Sequence, residues 1–484
     1  MKKVLIIYPP TKNIYQRGED RCQIDILSST VNSMRACNDL MYISSILKKE
    51  GYNPIIKDYQ AEKKKLKDLL DDVSSLSPDV LFISTTNGSI YQDLDVISKI
   101  KKIKNDITIV LKGAIFFNID NNLFENVDFS DVDYLIGGEV EFIIADLLNY
   151  HFKDKTKLST IEGISYKEAN KWIINPVINF KEDLNSLPFP DRSAINNALY
   201  KNPETNKPMA LITTAKGCCF SCTYCLSPII SGKKIRERSV QNIFNEIEEC
   251  ITKYNITNFF FKSDTFTANK KLVIELCNQL IASGYNKKIN WVATSRVDTI
   301  DEELIEIMQK AGCSLLAIGF ESGSNESLQK MRKNTTVEQN IEAIKMCKKH
   351  NLKVLGYFLI GFEWENKQHL AAIEKHIFEI DPDYIEISIV VPFAKTPLYE
   401  EYIANNKQID SILGKDSYNK IMENYSQFTS TELKNFRKRI LLKFYFRPKY
   451  IFKKLLQIKS FSVLKNYMEY GLRVLKNTLF TIKK

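Results

Sequence analysis

At 484 residues the chain is too long for one ordinary domain. With 44% hydrophobic and 26% charged residues it is not a largely disordered, collagen-like or low-complexity protein. Of its net charge of +10, the stretch Thr431 to Lys484 carries +13, fifteen Lys and Arg against Glu432 and Glu469. That leaves a mildly acidic body at −3 and argues against a nucleic-acid groove over the main domains.

From the amino terminus, short apolar runs alternate with helical patterns, which predicts a parallel α/β sheet. Strands are expected at Val4 to Tyr8, Pro54 to Asp58, Val80 to Ser84, Thr108 to Leu111 and Val132 to Ile136. Helices are expected at Leu40 to Lys49, at Leu94 to Lys101 and from Gly137-Gly138-Glu139 to about Tyr150. Residues 1–150 thus read as a doubly wound, Rossmann-like domain that takes ligands at the carboxyl ends of its strands. Residues 151–208, with Pro188, Pro190, Pro203 and Pro208, read as an extended connector.

A second periodic series fills 209–400. Six apolar runs, Ala210 to Thr213, Asn258 to Phe261, Trp291 to Thr294, Leu315 to Ile318, Val354 to Ile360 and Ile385 to Val391, are separated by amphipathic helices, one behind a predicted Asp301 cap. This is the pattern of a partial (β/α)6 relative of the TIM barrel, with active-site groups at the strand ends. Residues 401–484 form a basic, helical carboxy-terminal region.

Met1-Lys2-Lys3-Val4-Leu5-Ile6-Ile7-Tyr8 reaches Pro9-Pro10 too soon for a signal peptide, and no apolar run is long enough to span a bilayer, so a cytoplasmic location is expected. In a reducing compartment ten cysteines are too sparse for a disulfide scaffold, and a cluster among them points to metal or catalysis. That cluster directly follows the first barrel strand: Cys218, Cys222 and Cys225, at spacings of four and three. Three thiolates on one loop can hold three corners of a [4Fe–4S] cube and leave one iron open for substrate chemistry. A structural zinc site needs a fourth ligand, and no His lies between His151 and His350. Incidental buried cysteines are the remaining alternative. Cys219, inside the loop, reads as a spectator.

The Cys-x3-Cys-x2-Cys loop on such a barrel resembles the radical S-adenosylmethionine enzymes. The resemblance implies that the open iron chelates S-adenosylmethionine, whose reductive cleavage gives a 5′-deoxyadenosyl radical. Its accompanying motifs imply cofactor-binding roles for Asp264 after the second strand, Arg296 after the third, and Glu321 and Ser322 in Gly319-Phe320-Glu321-Ser322-Gly323 at the fourth. Each has a plainer alternative. Asp264 could cap a helix, Glu321 could pair with a neighbouring Lys, and Arg296 could hold a loop. At the fifth strand, Gly361-Phe362-Glu363-Trp364-Glu365 departs from the family's Pro-Gly-Glu turn, and Pro392 to Pro397 departs from its Pro-x-Pro-Gly-Thr.

The amino-terminal domain resembles the cobalamin-binding domain of the cobalamin-dependent branch of these enzymes. Ser84-Thr85-Thr86 and Lys112-Gly113 occupy the places of the family's Ser-x-Leu and Gly-Gly elements, which implies Ser84, Thr86 and Gly113 as cobalamin contacts. The loop Pro9 to Gly18 has no His to coordinate cobalt, and a sheet that kept the fold and lost the corrinoid is the alternative. The resemblance implies methyl transfer to an unactivated carbon. Oxidative cyclisation or rearrangement, as in the anaerobic porphyrin-ring cyclases, is the second reading, and a non-catalytic iron–sulfur or zinc-binding module the third. A reducing donor such as flavodoxin or ferredoxin is implied. The tail reads as a helical cover over the barrel mouth, as a peripheral contact with the inner membrane surface, or as a nucleic-acid contact. Its Phe444-Tyr445-Phe446-Arg447-Pro448 stretch resembles enzymes of this branch acting on large apolar, lipid-like substrates.

Overall fold

The computed structural model describes residues 1–18, 26, 29, 34–117, 119, 121–153, 157–405, 426–456, 458 and 461–479. Two α/β units pack against each other, and one buried cluster holds residues of both. In the first, strands β1 (Lys3–Tyr8), β2 (Asn53–Asp58), β3 (Val80–Ser84), β4 (Thr108–Lys112) and β5 (Tyr134–Ile136) alternate with helices α1 (Asn38–Lys49), α2 (Leu66–Leu76), α3 (Ile90–Lys101), α4 (Asn121–Asn126) and α5 (Ile144–Lys153). The strands pair in parallel in the order β2-β1-β3-β4-β5. Helices α1 and α5 cover one face and α2, α3 and α4 the other, so β1, β3 and β4 read as unbroken apolar runs. The strand order reverses between β1 and β3, which opens a crevice at their carboxyl ends.

The connector expected over 151–208 is not extended throughout. Strands β6 (Ile164–Glu168) and β7 (Lys171–Asn175) form an antiparallel hairpin that lengthens the first sheet beyond β5. Its two-residue turn places Ala169 and Asn170 at φ 47° and 64°. That conformation matches the twist of the flanking strands, and an Ala in it does not announce a turn in the sequence as Asn-Gly would.

All six expected barrel strands are present, as β8 (Met209–Thr213), β11 (Asn258–Lys262), β12 (Asn290–Ser295), β13 (Cys313–Glu321), β14 (Lys353–Ile360) and β15 (Tyr384–Ile389). They form one parallel sheet in sequence order, with β8 and β15 at its edges. Between β8 and β11 lie β9 (Ala215–Lys216), α6 (Ser227–Ile230), β10 (Arg236–Glu237) and α7 (Val240–Tyr254). The later crossovers are α8 (Lys270–Ala282), α9 (Glu302–Lys310), α10 (Asn325–Lys330), α11 (Val337–Lys349) and α12 (Lys367–Ile380), and α13 (Pro397–Ala404) follows β15. Asp301 caps α9 as expected, accepting from the Leu304 amide at 2.9 Å.

Helices α14 (Ser430–Tyr445), α15 (Pro448–Leu456) and α16 (Phe461–Leu479) form the carboxy-terminal region, whose residues 406–425 and 480–484 lie outside the described residues. Helix α14 covers the edge of β15. Arg437 donates to the Ile387 carbonyl at 2.6 Å, and the Tyr445 hydroxyl bonds the amide and carbonyl of Ile385 at 2.9 and 2.7 Å. The cover over the barrel mouth is not what these helices provide. Arg447 pairs with Asp381, Lys453 with Asp383, and the Tyr450 hydroxyl donates to the Asp383 carbonyl, all just before β15 begins. They therefore close the amino-terminal end of the barrel, opposite the cysteine loop, because their aromatic faces find apolar lumen there. No described helix is long and apolar enough to cross a membrane.

Candidate active site

The cysteine loop is pinned on every side. Gly217 opens it at φ +94°, where a Cβ would run into the Lys234 carbonyl, so glycine is required on two counts. The Cys218 amide donates to Gly232 O at 3.0 Å, Thr223 N to Met331 O at 3.0 Å and Leu398 N to Thr223 O at 3.0 Å. Cys218 and Cys222 are buried and Cys225 half-buried, while Cys219 faces solvent. Burial pushes the Cys218 thiol up to about 12, opposed by the Phe220 amide and reinforced by Cys225, Asp264 and Cys222. Three thiols thus gather where their anionic forms repel, a donor set that a cationic iron–sulfur centre satisfies. Among the described residues no three His, Cys, Asp or Glu side chains converge closely enough for a single metal ion. The corners of a cube lie farther apart than that.

Around this loop the strand ends supply polar groups. Asp264 accepts the Gly217 amide at 2.9 Å, which fixes where the cysteines begin. Arg296 is buried against the loop. It donates to Cys222 Sγ at 3.4 Å, to both Asp298 oxygens at 2.9 and 2.8 Å and to the Lys333 carbonyl at 2.6 Å, with its plane 3.7 Å from the Phe220 ring centroid. Every guanidinium nitrogen is engaged, which fixes Arg296 against the loop and beside the Cys222 sulfur.

Glu321 ends β13 at φ +61°, beyond a register shift at Gly319, and the irregularity turns its side chain into the site. Its carboxylate takes Lys333 Nζ at 2.9 Å, both groups buried, and faces the Tyr224 phenol. Ser322 is fully buried and accepts the Ser324 amide at 3.3 Å, bracing the turn. The sequence reading missed Lys333 and assigned no role to Tyr224. The departure at the fifth strand is resolved by Glu365, which is buried and accepts the Gly361 and Phe362 amides at 2.6 and 3.1 Å. Its spacing of four from Gly361 keeps the Glu of the Pro-Gly-Glu turn, a signal legible once Pro and Gly are not demanded. Burial pushes the Glu365 carboxyl up to about 7, against those two amides.

The amino-terminal sheet meets the barrel at this same end. Gly18, Asp39, Lys112 and Glu139 face Thr213, Lys216, Ser263 and Asp264 across a cavity of about 80 Å³. The two units are latched across it: Arg236 holds both Glu139 oxygens at 2.7 Å, and Lys216 pairs with Glu139 and Glu141. Burial raises the Glu139 carboxyl, but Lys216 and Arg236 outweigh it and hold it below the usual range. The three residues assigned to a corrinoid come together at the ends of β3 and β4. Ser84 Oγ is buried without a hydrogen-bond partner, Thr86 Oγ1 bonds Ser89 Oγ at 2.9 Å, and a Cβ on Gly113 would press within 2.9 Å of the Thr85 carbonyl. The orphaned Ser84 hydroxyl fits a group that brings it a hydrogen-bond partner, as the tail of a corrinoid would. A corrin ring itself is larger than this cavity of about 80 Å³.

The radical SAM superfamily model matches residues 212–377. Over 462 residues, 95% of this chain and 96% of the relative, the sequence is 28% identical to an uncharacterized methyltransferase of Pyrococcus horikoshii. An anaerobic magnesium-protoporphyrin IX monomethyl ester cyclase of Cereibacter sphaeroides is 25% identical over 369 residues, 74% of this chain and 59% of that enzyme. Among solved structures, the cobalamin-dependent S-adenosylmethionine radical enzyme OxsB superposes over 99% of this chain and 72% of its own, with TM-score 0.71 and 18% identity. The methyltransferase TsrM of Kitasatospora setae covers 84% of this chain and 76% of its own, with TM-score 0.67 and 16% identity. Both likenesses are of fold.

Proposed function

The chain belongs to the radical S-adenosylmethionine superfamily, and from that premise we propose that it is a cobalamin-dependent radical enzyme that methylates an unactivated carbon. The observation that carries this reading is the loop of Cys218, Cys222 and Cys225 beside the Glu321–Lys333 pair, at the barrel end where Lys112 of the amino-terminal sheet and Asp264 of the barrel line one cavity. Bound there, a [4Fe–4S] cluster and S-adenosylmethionine supply a 5′-deoxyadenosyl radical, and a methylated corrinoid supplies the methyl group.

The protein's own part is placement and exclusion. Cys218, Cys222 and Cys225 hold three irons, and Arg296 stabilises the Cys222 thiolate by hydrogen bonding. Asp264 and Glu321 present carboxylates to the cationic end of S-adenosylmethionine, and Tyr224 with Phe362, ring centroids 6.0 Å apart, offers an aromatic flank for its adenine. Ser84, Thr86 and Gly113 receive the corrinoid's tail. The Glu139–Lys216–Arg236 latch shuts out water once the ligands are in place.

A flavodoxin or ferredoxin delivers the electron. Phe452, Leu455 and Leu456 stand exposed on α15 together with exposed Lys449 and Lys453, which supports contact with an anionic membrane surface. Sedimentation with anionic liposomes tests that contact: binding that does not weaken with salt overturns it.

Protein reconstituted without oxygen is expected to carry four irons and one corrinoid, to form 5′-deoxyadenosine when reduced, and to yield a product heavier by one methyl group. The likeness to the cyclase favours a second reading, in which the radical step ends in ring closure. A product without added methyl selects it.

A further inference from the structure

Below the active site the partial barrel is hollow. A cavity of about 350 Å³, within the roughly 300–1,000 Å³ of small-molecule pockets, runs up from the amino-terminal ends of the strands. Its wall is Val292, Ala293, Leu315, Ala317, Leu355 and Tyr357, and α15 and α16 form its floor. On β13 the inward column continues from Leu315 and Ala317 through Gly319 to Glu321, so along this strand only small residues separate lumen and active site. From Ala317 to Glu321 is four residues, about 13 Å at 3.3 Å each.

One cation in this lumen has no hydrogen-bond partner. Lys454, on α15, is 7% exposed, and its Nζ is buried and unbonded. The Tyr384 ring lies 3.8 Å from it and the Tyr450 ring 5.5 Å. The carboxylates nearby are committed elsewhere, Glu204 to Lys353 Nζ at 2.8 Å and to the Tyr384 hydroxyl, and Asp383 to Lys453 at 3.0 Å. Arg35, the other cation lining the cavity, is stacked 4.3 Å over Phe260. Burial lowers the Lys454 ammonium to about 8, which marks an ammonium poor in compensation. Around the floor, Ile451, Leu455 and Met468 line the cavity and are themselves exposed.

We infer that the substrate is a single-chain anionic amphiphile, its head paired with Lys454 at the barrel floor and its apolar chain filling the lumen toward Glu321. The inference rests on the radical-enzyme reading and specifies its substrate class. An apolar wall with one unbonded ammonium at the end remote from the chemistry recognises such a molecule by chain length and head charge. The end of the chain is then what the strand-end groups meet.

The test is displacement of a fluorescent fatty acid, cis-parinaric acid, from the full-length reconstituted protein by hexadecanoate, hexadecyl phosphate, hexadecanol and hexadecyltrimethylammonium, each below its micelle concentration. Saturable one-to-one binding is expected, about tenfold tighter for the anions than for the alcohol and weakest for the cation. The tighter of the two anions names the head group as carboxylate or phosphate. Across a chain-length series each added methylene tightens binding about fourfold until the lumen is full. Ala317→Phe blocks all of the probes. Lys454→Met, on a surface helix and conservative in shape, keeps the alcohol and abolishes the preference for anions. Absence of saturable binding, an anion preference that survives Lys454→Met, or binding indifferent to Ala317→Phe in folded protein overturns the inference. Cleavage of S-adenosylmethionine by the same samples separates the two readings. Cleavage without lumen binding removes this inference and leaves the enzyme assignment standing, whereas lumen binding without cleavage overturns the enzyme assignment and, with it, the amphiphile's standing as substrate.

Discussion

The two ends of the barrel are built on opposite principles. At the carboxyl ends of the strands, buried charge is paired and repeatedly bonded: Glu321 with Lys333, Glu139 with Arg236 and Lys216, Arg296 with four acceptors. At the amino-terminal ends the wall is apolar, and the buried Lys454 ammonium makes no hydrogen bond. The first end is organised in advance for chemistry, since groups fixed by several bonds need no rearrangement when charge develops. The second is organised for a guest, since an apolar hollow and an unsatisfied cation both gain when something enters. Lysine carries both cases, and removing it should have opposite consequences at the two ends.

The largest effect belongs to the cysteines. Replacing Cys218, Cys222 or Cys225 with Ala is expected to abolish 5′-deoxyadenosine formation and to lower bound iron, whereas Cys219→Ala, at an exposed position, leaves both in place. Retained cleavage in any of the first three variants would remove the cluster assignment. Next in size is Lys333→Met. It leaves the buried Glu321 carboxylate without its partner and is expected to cost about 3–5 kcal/mol in urea unfolding. Adding Glu321→Gln should recover much of that loss, because the uncompensated charge is then gone.

Glu365 tests how rigidly the upper end is bonded. Its carboxyl titrates near 7 in the folded protein, above its ordinary 4.5, so between those values the folded state holds more protons than the unfolded state. Stability therefore falls as pH rises from about 4.5 to about 7. Glu365→Gln keeps an oxygen for the Gly361 and Phe362 amides and is expected to flatten that fall. Thermal unfolding across the window measures it, and an unchanged slope assigns the dependence elsewhere.

At the lower end the sign reverses. The Lys454 ammonium titrates near 8, below its ordinary 10.5, so the unfolded state binds more protons between those values and stability rises with pH there. Lys454→Met removes that rise. At pH 7 it gains stability by about 1 kcal/mol, the relief of a buried ammonium less its contacts with Tyr384 and Tyr450. A loss of several kcal/mol would make Lys454 a structural residue of the same kind as Lys333 and erase the contrast between the two ends.

How much of this was legible in the sequence follows the same division. The five sheet strands announce themselves as apolar runs because crossover helices bury both their faces, and the six barrel strands because helices bury one face and an apolar lumen takes the other. The cysteine loop is legible because its ligands lie within eight residues of one another. Lys333 is not, because it reaches Glu321 only after α10 has folded back, and nothing local marks one lysine among many. The destination of Arg296 was hidden for the same reason: its partners Cys222 and Lys333 lie 74 and 37 residues away. The tail's position was misread because an amphipathic helix shows that it has a face to bury, but not which end of the barrel offers the matching surface.

Ser84 carries the smallest effect on stability and the most specific consequence for function. Its hydroxyl is buried without a partner, so Ser84→Ala removes an unsatisfied group from the folded state and should leave stability unchanged or raise it by up to about 1 kcal/mol. A buried hydroxyl left without a partner gains when something arrives to bond it. If the corrinoid's tail is what arrives, the variant folds as well as the parent, binds its four irons and loses corrinoid on gel filtration. If corrinoid content is unchanged, the Ser84 hydroxyl makes no contact that the corrinoid needs, and the tail is held by other residues.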